Sequence, residues 1–463
     1  MDFETTLFLL QSGRFHDKIQ KKPQEKIMNG KCRCRWCNLK NPLYVTYHDR
    51  EWGVPNFEDQ YLYEMLILES FQAGLSWECV LNKREAFRQA YDQFDIEKVI
   101  HYDEEKMAQL AENKGIIRNK RKIRASVQNS KIFKAIVAEF GSFYGYLKTF
   151  TGGEIFYEIG KTTNALSDAI SADLQKRGMS FVGSVIIHSY LQAIGVIWSH
   201  DEECYMHKIR LWKEEEQIAH VHGWDFSHIA DRSAEQTDFP WDYRQAILDH
   251  LTPDMKLLDV DTGGGEFLLS LGHPYENTAA SEGYAPNAEL CRQTLTPLGI
   301  DFRPGSVLEG LPFEDESFDM IINRHGDMNA PEFWRLLKPG GLFITQHVGA
   351  ENDRELVALL CGKIPMPFPE QYLHIAEEKL RQAGFQILKG HECRRPYDFY
   401  DVGALVWFAR IIQWEFPDFS VDTHLDRLFE AQNLLDTQGV IHASTHRYFI
   451  IAQKATNKEN IYG

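Results

Sequence analysis

The chain has 463 residues, of which 43% are hydrophobic and 13% aromatic, and a formal net charge of −17. Single cores stop growing near about 250–300 residues, so more than one domain is required, and the apolar content excludes a chain that is disordered throughout. Eight cysteines are too sparse for a disulfide scaffold, no run of about 18 apolar residues reads as a membrane span, and "MDFETTLFLL" puts acids before a short apolar run with no cleavage site, so a soluble, cytoplasmic protein is expected.

The charge is unevenly placed. Residues 1–213 carry 30 Lys+Arg against 27 Asp+Glu, whereas residues 214–463 carry 20 against 40. Only the first part could comfortably approach a phosphate backbone.

After an N-terminal extension (1–30), "KCRCRWCNLKNPLYVTYHDREWG" holds Cys32, Cys34 and Cys37 followed by a tyrosine-rich segment ending in Tyr47-His48-Asp49. In a reducing compartment such clustering leans toward metal or catalysis. From Glu58 to about Arg210 apolar residues recur at three- and four-residue spacing, which predicts an all-helical domain. A cysteine of the opening cluster, His48, and the pair His200 and Cys204 could form a tetrahedral site. The last two lie at i and i+4, which places both side chains on one face of a helix or tight turn.

"LILESFQAGLSW" carries Glu69 in an otherwise apolar helix. A carboxylate there must pair, change protonation or face a cavity. Trp36, Tyr44, Tyr47, Trp52 and Trp77 are core residues unless they line that cavity. Further on, "NKGIIRNKRKIRASVQNSK" gathers Lys114, Arg118, Lys120, Arg121, Lys122 and Arg124 after a glycine turn, which suits phosphate contacts by a helix N-terminus and several cations.

Residues 214–240 are polar with a single proline and read as a linker. From 241 to 463 the grammar changes: "KLLDVDTGGGEFLL", "NTAASEGYAPN", "FDMIINRH" and "LKPGGLFITQHVG" have the spacing of strands in a repeating βαβ arrangement. A doubly wound, Rossmann-like α/β domain with a parallel sheet is predicted. Gly263, Gly264 and Gly265 let a backbone approach a cofactor closely, and Glu282, ending the next strand, suits ribose hydroxyls. "RRPYDFYDVGALVWFARIIQWEFPDF" offers an aromatic lid or a core helix.

In order, "RCRWC", "NPLYVTYHDREWGVP", "LYEMLILESFQAGLSW", "GIIRNKRKI" and "LQKRGMSFVGSVIIHSYLQAIGVI" resemble the bacterial 3-methyladenine DNA glycosylase I family over about residues 31–210. The resemblance implies an all-α, helix-hairpin-helix type of domain with structural zinc on Cys34, His48, His200 and Cys204. It implies Glu69 as the catalytic carboxylate of the base pocket, with Trp36, Tyr44, Tyr47 and Trp77 as base-binding aromatics. Alkylation-damaged double-stranded DNA is the implied partner, contacted by Lys114, Arg118, Lys120, Arg121 and Lys122, and excision without a lyase step is the implied activity. Such an enzyme fits the residue types, since an N3-alkylated adenine is cationic, has a weak glycosidic bond, and must be flipped into an aromatic, negatively charged pocket.

"GSVLEGLPFEDESFDMIINRH" and "FWRLLKPGGLFITQ" resemble class I S-adenosylmethionine-dependent methyltransferases over about residues 223–455. This implies that Asp259, Gly263 and Gly265 hold the methionine end of S-adenosylmethionine, Glu282 the ribose, and Ser306-Val307 the adenine, with Asn323 and His325 facing the transferred methyl group. Two positions depart from that pattern: Asp261 replaces the usual first glycine of the loop, and Ser306 stands where an acid often contacts adenine. The methyl acceptor is not legible, a small molecule is the default, and a monomer is expected. The competing expectation is a non-catalytic sensor of alkylated DNA or S-adenosylmethionine, or chiefly a small-molecule methyltransferase.

Overall fold

The computed structural model describes residues 27–28, 31–220 and 226–456. The N-terminal extension, apart from a two-residue strand, and residues 221–225 of the expected linker lie outside them. The chain divides into two compact units between Arg210 and Leu211. Among the described residues no helix is long and apolar enough to cross a membrane.

The first unit is helical, and its working elements are α1 (Pro42–Arg50), α2 (Asp59–Gln72), α3 (Trp77–Leu81), α4 (Lys120–Phe140), α5 (Ala165–Lys176) and α6 (Ser184–Ala193). Local sequence sets their starts. Asn41 caps α1, accepting the Leu43 N–H ahead of a proline at the first helical position, and Ser76 caps α3 by accepting the Cys79 N–H. Every residue of α2 from Leu62 to Phe71 is buried, so this helix is the axis of the unit. Two minimal strand pairs interrupt the predicted all-helical pattern: β1 (Ile27–Met28) with β2 (Lys31–Cys32), and β3 (Phe156–Tyr157) parallel to β4 (Ile197–Trp198). Two-residue strands leave no alternation for the sequence to display.

The second unit is built on an eight-stranded sheet: β5 (Ser233–Glu235), β6 (Leu257–Val260), β7 (Thr278–Glu282), β8 (Asp301–Pro304), β9 (Phe318–Arg324), β10 (Leu337–Val348), β11 (Phe385–Phe399) and β12 (Ile441–Lys454). The order across the sheet is β5-β11-β12-β10-β9-β6-β7-β8. The five strands from β10 to β8 are parallel, whereas β12, β11 and β5 pair antiparallel, so the sheet is mixed rather than parallel as expected. The difference follows from burial: the parallel strand β6 is buried at every position, while β11 runs through many half-buried and exposed positions, which antiparallel pairing tolerates.

Apolar side chains cover both faces of this sheet. Leu258, Phe333, Phe343 and Tyr448 lie in one cluster, and Trp241, Tyr243, Cys291 and Phe449 in the other. The chain runs β6, β7, β8 toward one edge and returns beside β6 with β9, so the strand order reverses between β6 and β9. Open α/β sheets bind ligands outside the carboxyl ends of such strands.

Two expectations change here. Residues 214–240 are not simply a linker: a helix, α7 (Tyr205–Ile218), extends through 214–218, and β5 forms an edge of the sheet by pairing with β11. The aromatic segment after β11 is no open lid, because the helix Val402–Ile411 is buried at nine of its ten positions.

Candidate functional site

Cys34, His48, His200 and Cys204 come together at full burial, with one donor atom from each lying within 4.8 Å of the others. Cys34 Sγ is 3.3 Å from His200 Nδ1, and Cys204 Sγ is 3.5 Å from His48 Nε2 and 3.6 Å from His200 Nδ1. Three of the six donor separations are near the edge length that a shared ion needs when it is bonded to thiolate and imidazole at about 2.0–2.3 Å. The set therefore fits a metal ion.

The outer contacts suit the same purpose. His48 Nδ1 faces Asp49 Oδ1 at 2.8 Å, Asp49 is clamped by Arg33 at 2.7 and 2.6 Å, and His200 Nε2 faces the Trp52 carbonyl at 3.1 Å. Each imidazole thus turns one nitrogen outward to an acceptor and the other to the site. Although burial pushes the Asp49 carboxyl up, His48 and Arg33 hold it below the carboxylate range. His200 and Cys204 sit in a tight turn rather than on a helix, closed by Cys204 N–H to the Asp201 carbonyl at 2.8 Å. Of the three clustered cysteines, only Cys34 joins the set. Cys37 turns its thiol to the Tyr44 carbonyl, and burial raises it to about 11.

Beside this centre, Trp36 contacts Tyr44 (ring centroids 5.1 Å apart), Tyr47 (6.4 Å) and Trp52 (4.7 Å), and Tyr47 contacts Trp77 at 5.4 Å. Glu69 is 2% exposed, and burial pushes its carboxyl well above the ordinary range. Burial first, and Glu69 next, raise the Tyr47 phenol, so it stays a donor. Four buried polar atoms here have no protein partner: Trp36 Nε1, Trp77 Nε1, Glu69 Oε2 and Gln72 Oε1. Leaving each unsatisfied costs about 1–3 kcal/mol, so two indole donors and two side-chain oxygens left open among tilted and edge-on rings mark a place for a planar, polar ligand. Gln72, one turn along α2 from Glu69, has no sequence signal of its own, and neither Asp49 nor Arg33 was singled out.

The basic run divides in two. Lys114, Arg118, Lys120 and Arg121 are exposed, while Arg124 pairs with Glu104 at 2.9 Å. Lys122 is buried, and its ammonium donates to the carbonyls of Phe71 and Ala73 at the C-terminal end of α2, so it is not available to a phosphate as expected. Its partners are the unsatisfied carbonyls and negative dipole end of a buried helix, which draw a cation inward. Nor are the first amides of α4 open, because Asn119 Oδ1 accepts from Arg121 and Lys122 N–H. A cavity of ≈820 Å³ lies away from the aromatic pocket, with Lys120, Arg121, Arg124, Met179 and Phe181 in its wall.

In the second unit, the ends of β6, β7 and β9 converge. Asp259 accepts from the Thr262 hydroxyl at 2.6 Å, and burial raises its carboxyl to about 7. Glu282 accepts N–H bonds from Gly263 (2.9 Å) and Tyr284 (2.7 Å), leaving each oxygen a second lone pair. Gly263 and Gly265 occupy left-handed backbone at φ 67° and 85°. Cys291, missed in the sequence, donates its thiol to the Gly263 carbonyl at 3.0 Å and props the loop. Asn323 is fully buried: its amide donates to the Val260 and Asp327 carbonyls, and its Oδ1 has no partner. Ser306 is half-buried and caps its own turn through the Leu308 N–H, and His325 is exposed on the loop after β9 at φ 66°. A left-handed glycine loop, a carboxylate at the next strand end and an orphaned acceptor fit a nucleoside cofactor with a cationic tail.

Fold and sites together define a two-domain protein: a helical unit with a buried Cys2His2 cluster beside an aromatic pocket, and an α/β unit with a glycine loop at the switch point of its sheet. Residues 36–207 match the methyladenine glycosylase family model, and residues 258–345 match a methyltransferase domain model. DNA-3-methyladenine glycosylase 1 of Escherichia coli is 41% identical over 179 residues, covering 37% of this chain and 95% of that protein. A crystal structure of 3-methyladenine DNA glycosylase I shares 39% identity over 37% of this chain and 97% of that one, with a TM-score of 0.36. For the second unit, a phthiotriol/phenolphthiotriol dimycocerosates methyltransferase of Mycobacterium tuberculosis is 35% identical over 98 residues, which span 36% of that protein. The chain belongs to the methyladenine glycosylase family and carries an appended methyltransferase domain.

Proposed function

We propose that the first domain, residues 31–213, hydrolyses the N-glycosidic bond of 3-methyladenine in alkylated double-stranded DNA, the base named for its relatives. The observation that carries this is the set of four unpartnered polar atoms around Glu69 among Trp36, Tyr44, Tyr47 and Trp77. Their rings stack on and face a flipped base, and the two indole N–H groups and two carbonyl-type oxygens read its edge.

An N3-methylated adenine brings a positive charge to a buried carboxylate that has no cation of its own, so Glu69 binds it in the ionised form. Water forms a bond to the sugar carbon as the carbon–nitrogen bond breaks, and one of its protons passes to solvent, leaving a hydroxyl on the sugar. The bond's electron pair moves into the purine ring and leaves the released base neutral. Leu75, exposed after Gly74 (φ 78°) in the turn between α2 and α3, suits the apolar wedge that fills the vacated stack.

The Cys34–His48–His200–Cys204 site takes zinc, which the thiolate–imidazole donor set favours. It ties the segment carrying Trp36, Tyr44 and Tyr47 to the far end of the domain. The helix pair α5 and α6, joined by a turn over 177–183, forms the helix-hairpin-helix, and Lys114, Arg118, Lys120 and Arg121 supply phosphate contacts.

The second domain, residues 241–463, binds S-adenosylmethionine, which supplies a methyl group for transfer. Asp259, Gly263 and Gly265 hold its methionine end, Glu282 the ribose and Ser306 the adenine, and Asn323 faces the transferred methyl group. The test of the first proposal is incubation of the whole protein with methylated DNA and chromatography of the freed bases. Wild type releases 3-methyladenine and Glu69→Gln loses most of that release with metal still bound. Full activity in the variant overturns the assignment.

A further inference from the structure

Asp261 follows β6 at φ 56°, in the left-handed region that glycine adopts freely and other residues rarely do. Its Oδ2 accepts the Asp327 N–H at 2.9 Å from the loop after β9. That loop comes so close that a Cβ on Gly326 would lie 2.5 Å from the same oxygen. The carboxylate is thus held between the two strand ends where the strand order reverses, which is the ligand crevice of such a sheet.

Its surroundings are nearly all acceptors. Asp259 lies two residues back, Glu282 ends β7, Asp327 lies on the loop it grips, and Asn323 presents a buried, unpartnered Oδ1. The nearby cation, Arg324 at the end of β9, is spread over the Phe267 ring at 4.6 Å. Burial raises Asp261 to about 6 against the pull of the Asp327 N–H, and the charges of Glu282 and Asp327 push it the same way as burial, so acids outweigh the one nearby cation.

We propose that Asp261 makes this crevice select the sulfonium cofactor S-adenosylmethionine over its thioether product S-adenosylhomocysteine. The inference rests on the methyltransferase reading of the second domain. The two ligands share adenosine, ammonium and carboxylate, so any repulsion between Asp261 and the ligand carboxylate cancels in their ratio. They differ by one methyl group and one positive charge. An added cation beside Asp259 and Asp261 draws these two carboxyls into their ionised forms and releases protons on binding. Affinity for the sulfonium therefore rises with pH through about 6 to 7, where Asp261 and Asp259 lose their protons, and affinity for the neutral thioether rises less. A glycine at position 261 would leave a crevice less able to tell the two apart.

The test is calorimetric titration of the full chain with each ligand at pH 5.5 and 7.5, in wild type, Asp261→Asn and Asp261→Gly. Wild type should bind S-adenosylmethionine on the order of tenfold more tightly than S-adenosylhomocysteine at pH 7.5, with the ratio shrinking at pH 5.5. Proton release is read from the dependence of the heat on buffer ionisation. Asp261→Asn keeps an oxygen for the Asp327 N–H and should bring the ratio toward one with S-adenosylhomocysteine affinity retained. An unchanged ratio in both variants overturns the inference and leaves the methyltransferase reading standing. Loss of both ligands in both variants at unchanged unfolding temperature would make Asp261 a loop-shaping residue and likewise overturn it. Failure of wild type to bind either ligand overturns both.

Discussion

Replacing Glu69 by glutamine should make the protein more stable while removing activity, and the size of the first effect can be worked from burial. An unfolded glutamate titrates near about 4.3. In the folded protein the Glu69 carboxyl is 2% exposed, one oxygen has no partner, and burial pushes it well above that range. A carboxyl raised on folding contributes stability below its unfolded value and loses it as pH rises. Keeping it neutral at pH 7 costs at most about 3.7 kcal/mol, at about 1.36 kcal/mol per pH unit. Glutamine has the same shape and carries no such cost. The variant's advantage should be nil near pH 4 and grow toward pH 7. At about 2–4 °C per kcal/mol for a domain of this size, that is a rise of several degrees. Scanning calorimetry of the full chain between pH 4.5 and 8 measures it, the first domain's transition being the one a chelator shifts. Base release from methylated DNA should fall by on the order of tenfold to a hundredfold, as a charge-assisted contact is lost. A stability difference that ignores pH, or a variant as active as wild type, would refute the reasoning.

Asp49→Asn removes the charge that orients His48, so metal affinity should drop about 10- to 100-fold in a competition titration, with the four donor residues intact. Lys122→Met leaves the Phe71 and Ala73 carbonyls without their ammonium and should lower stability by about 1–3 kcal/mol in denaturant unfolding, while the salt dependence of DNA binding stays the same. Arg121→Ala should do the reverse, reducing the slope of log affinity against log salt by about 0.9 with little change in unfolding. Chelation of wild type should loosen the segment carrying Trp36, Tyr44 and Tyr47, and excision should fall with the metal content. An apo-protein of full activity would separate the pocket from the staple.

The helical periodicity of residues 58–210, the glycine loop after β6 and the change of grammar near residue 241 were all legible, because amphipathic spacing and turn chemistry are local properties. Glu69 stood out for the same reason: a carboxylate within an apolar run is visible in a row of letters, and the structure finds it buried and unpartnered. Cys34 stood among three cysteines that composition could not rank. The fold ranks them by turning Cys37 to the Tyr44 carbonyl and bringing Cys34 to within 3.3 Å of His200, 166 residues away.

Lys122 shows the opposite failure. It sits in an uninterrupted basic run, and only the close approach of α4 to the end of α2 converts it from a surface cation into an internal cap. The antiparallel half of the sheet was hidden because strand direction depends on which neighbour a strand meets. The sequence by itself therefore determined the element types, the two-domain division and the chemistry-bearing residue types, since each follows from local propensity and composition. Tertiary structure alone decided which thiol faces the metal donors, which lysine faces water, and that Asp261 is gripped by the backbone of Asp327, because each of these depends on segments far apart in the chain being brought together.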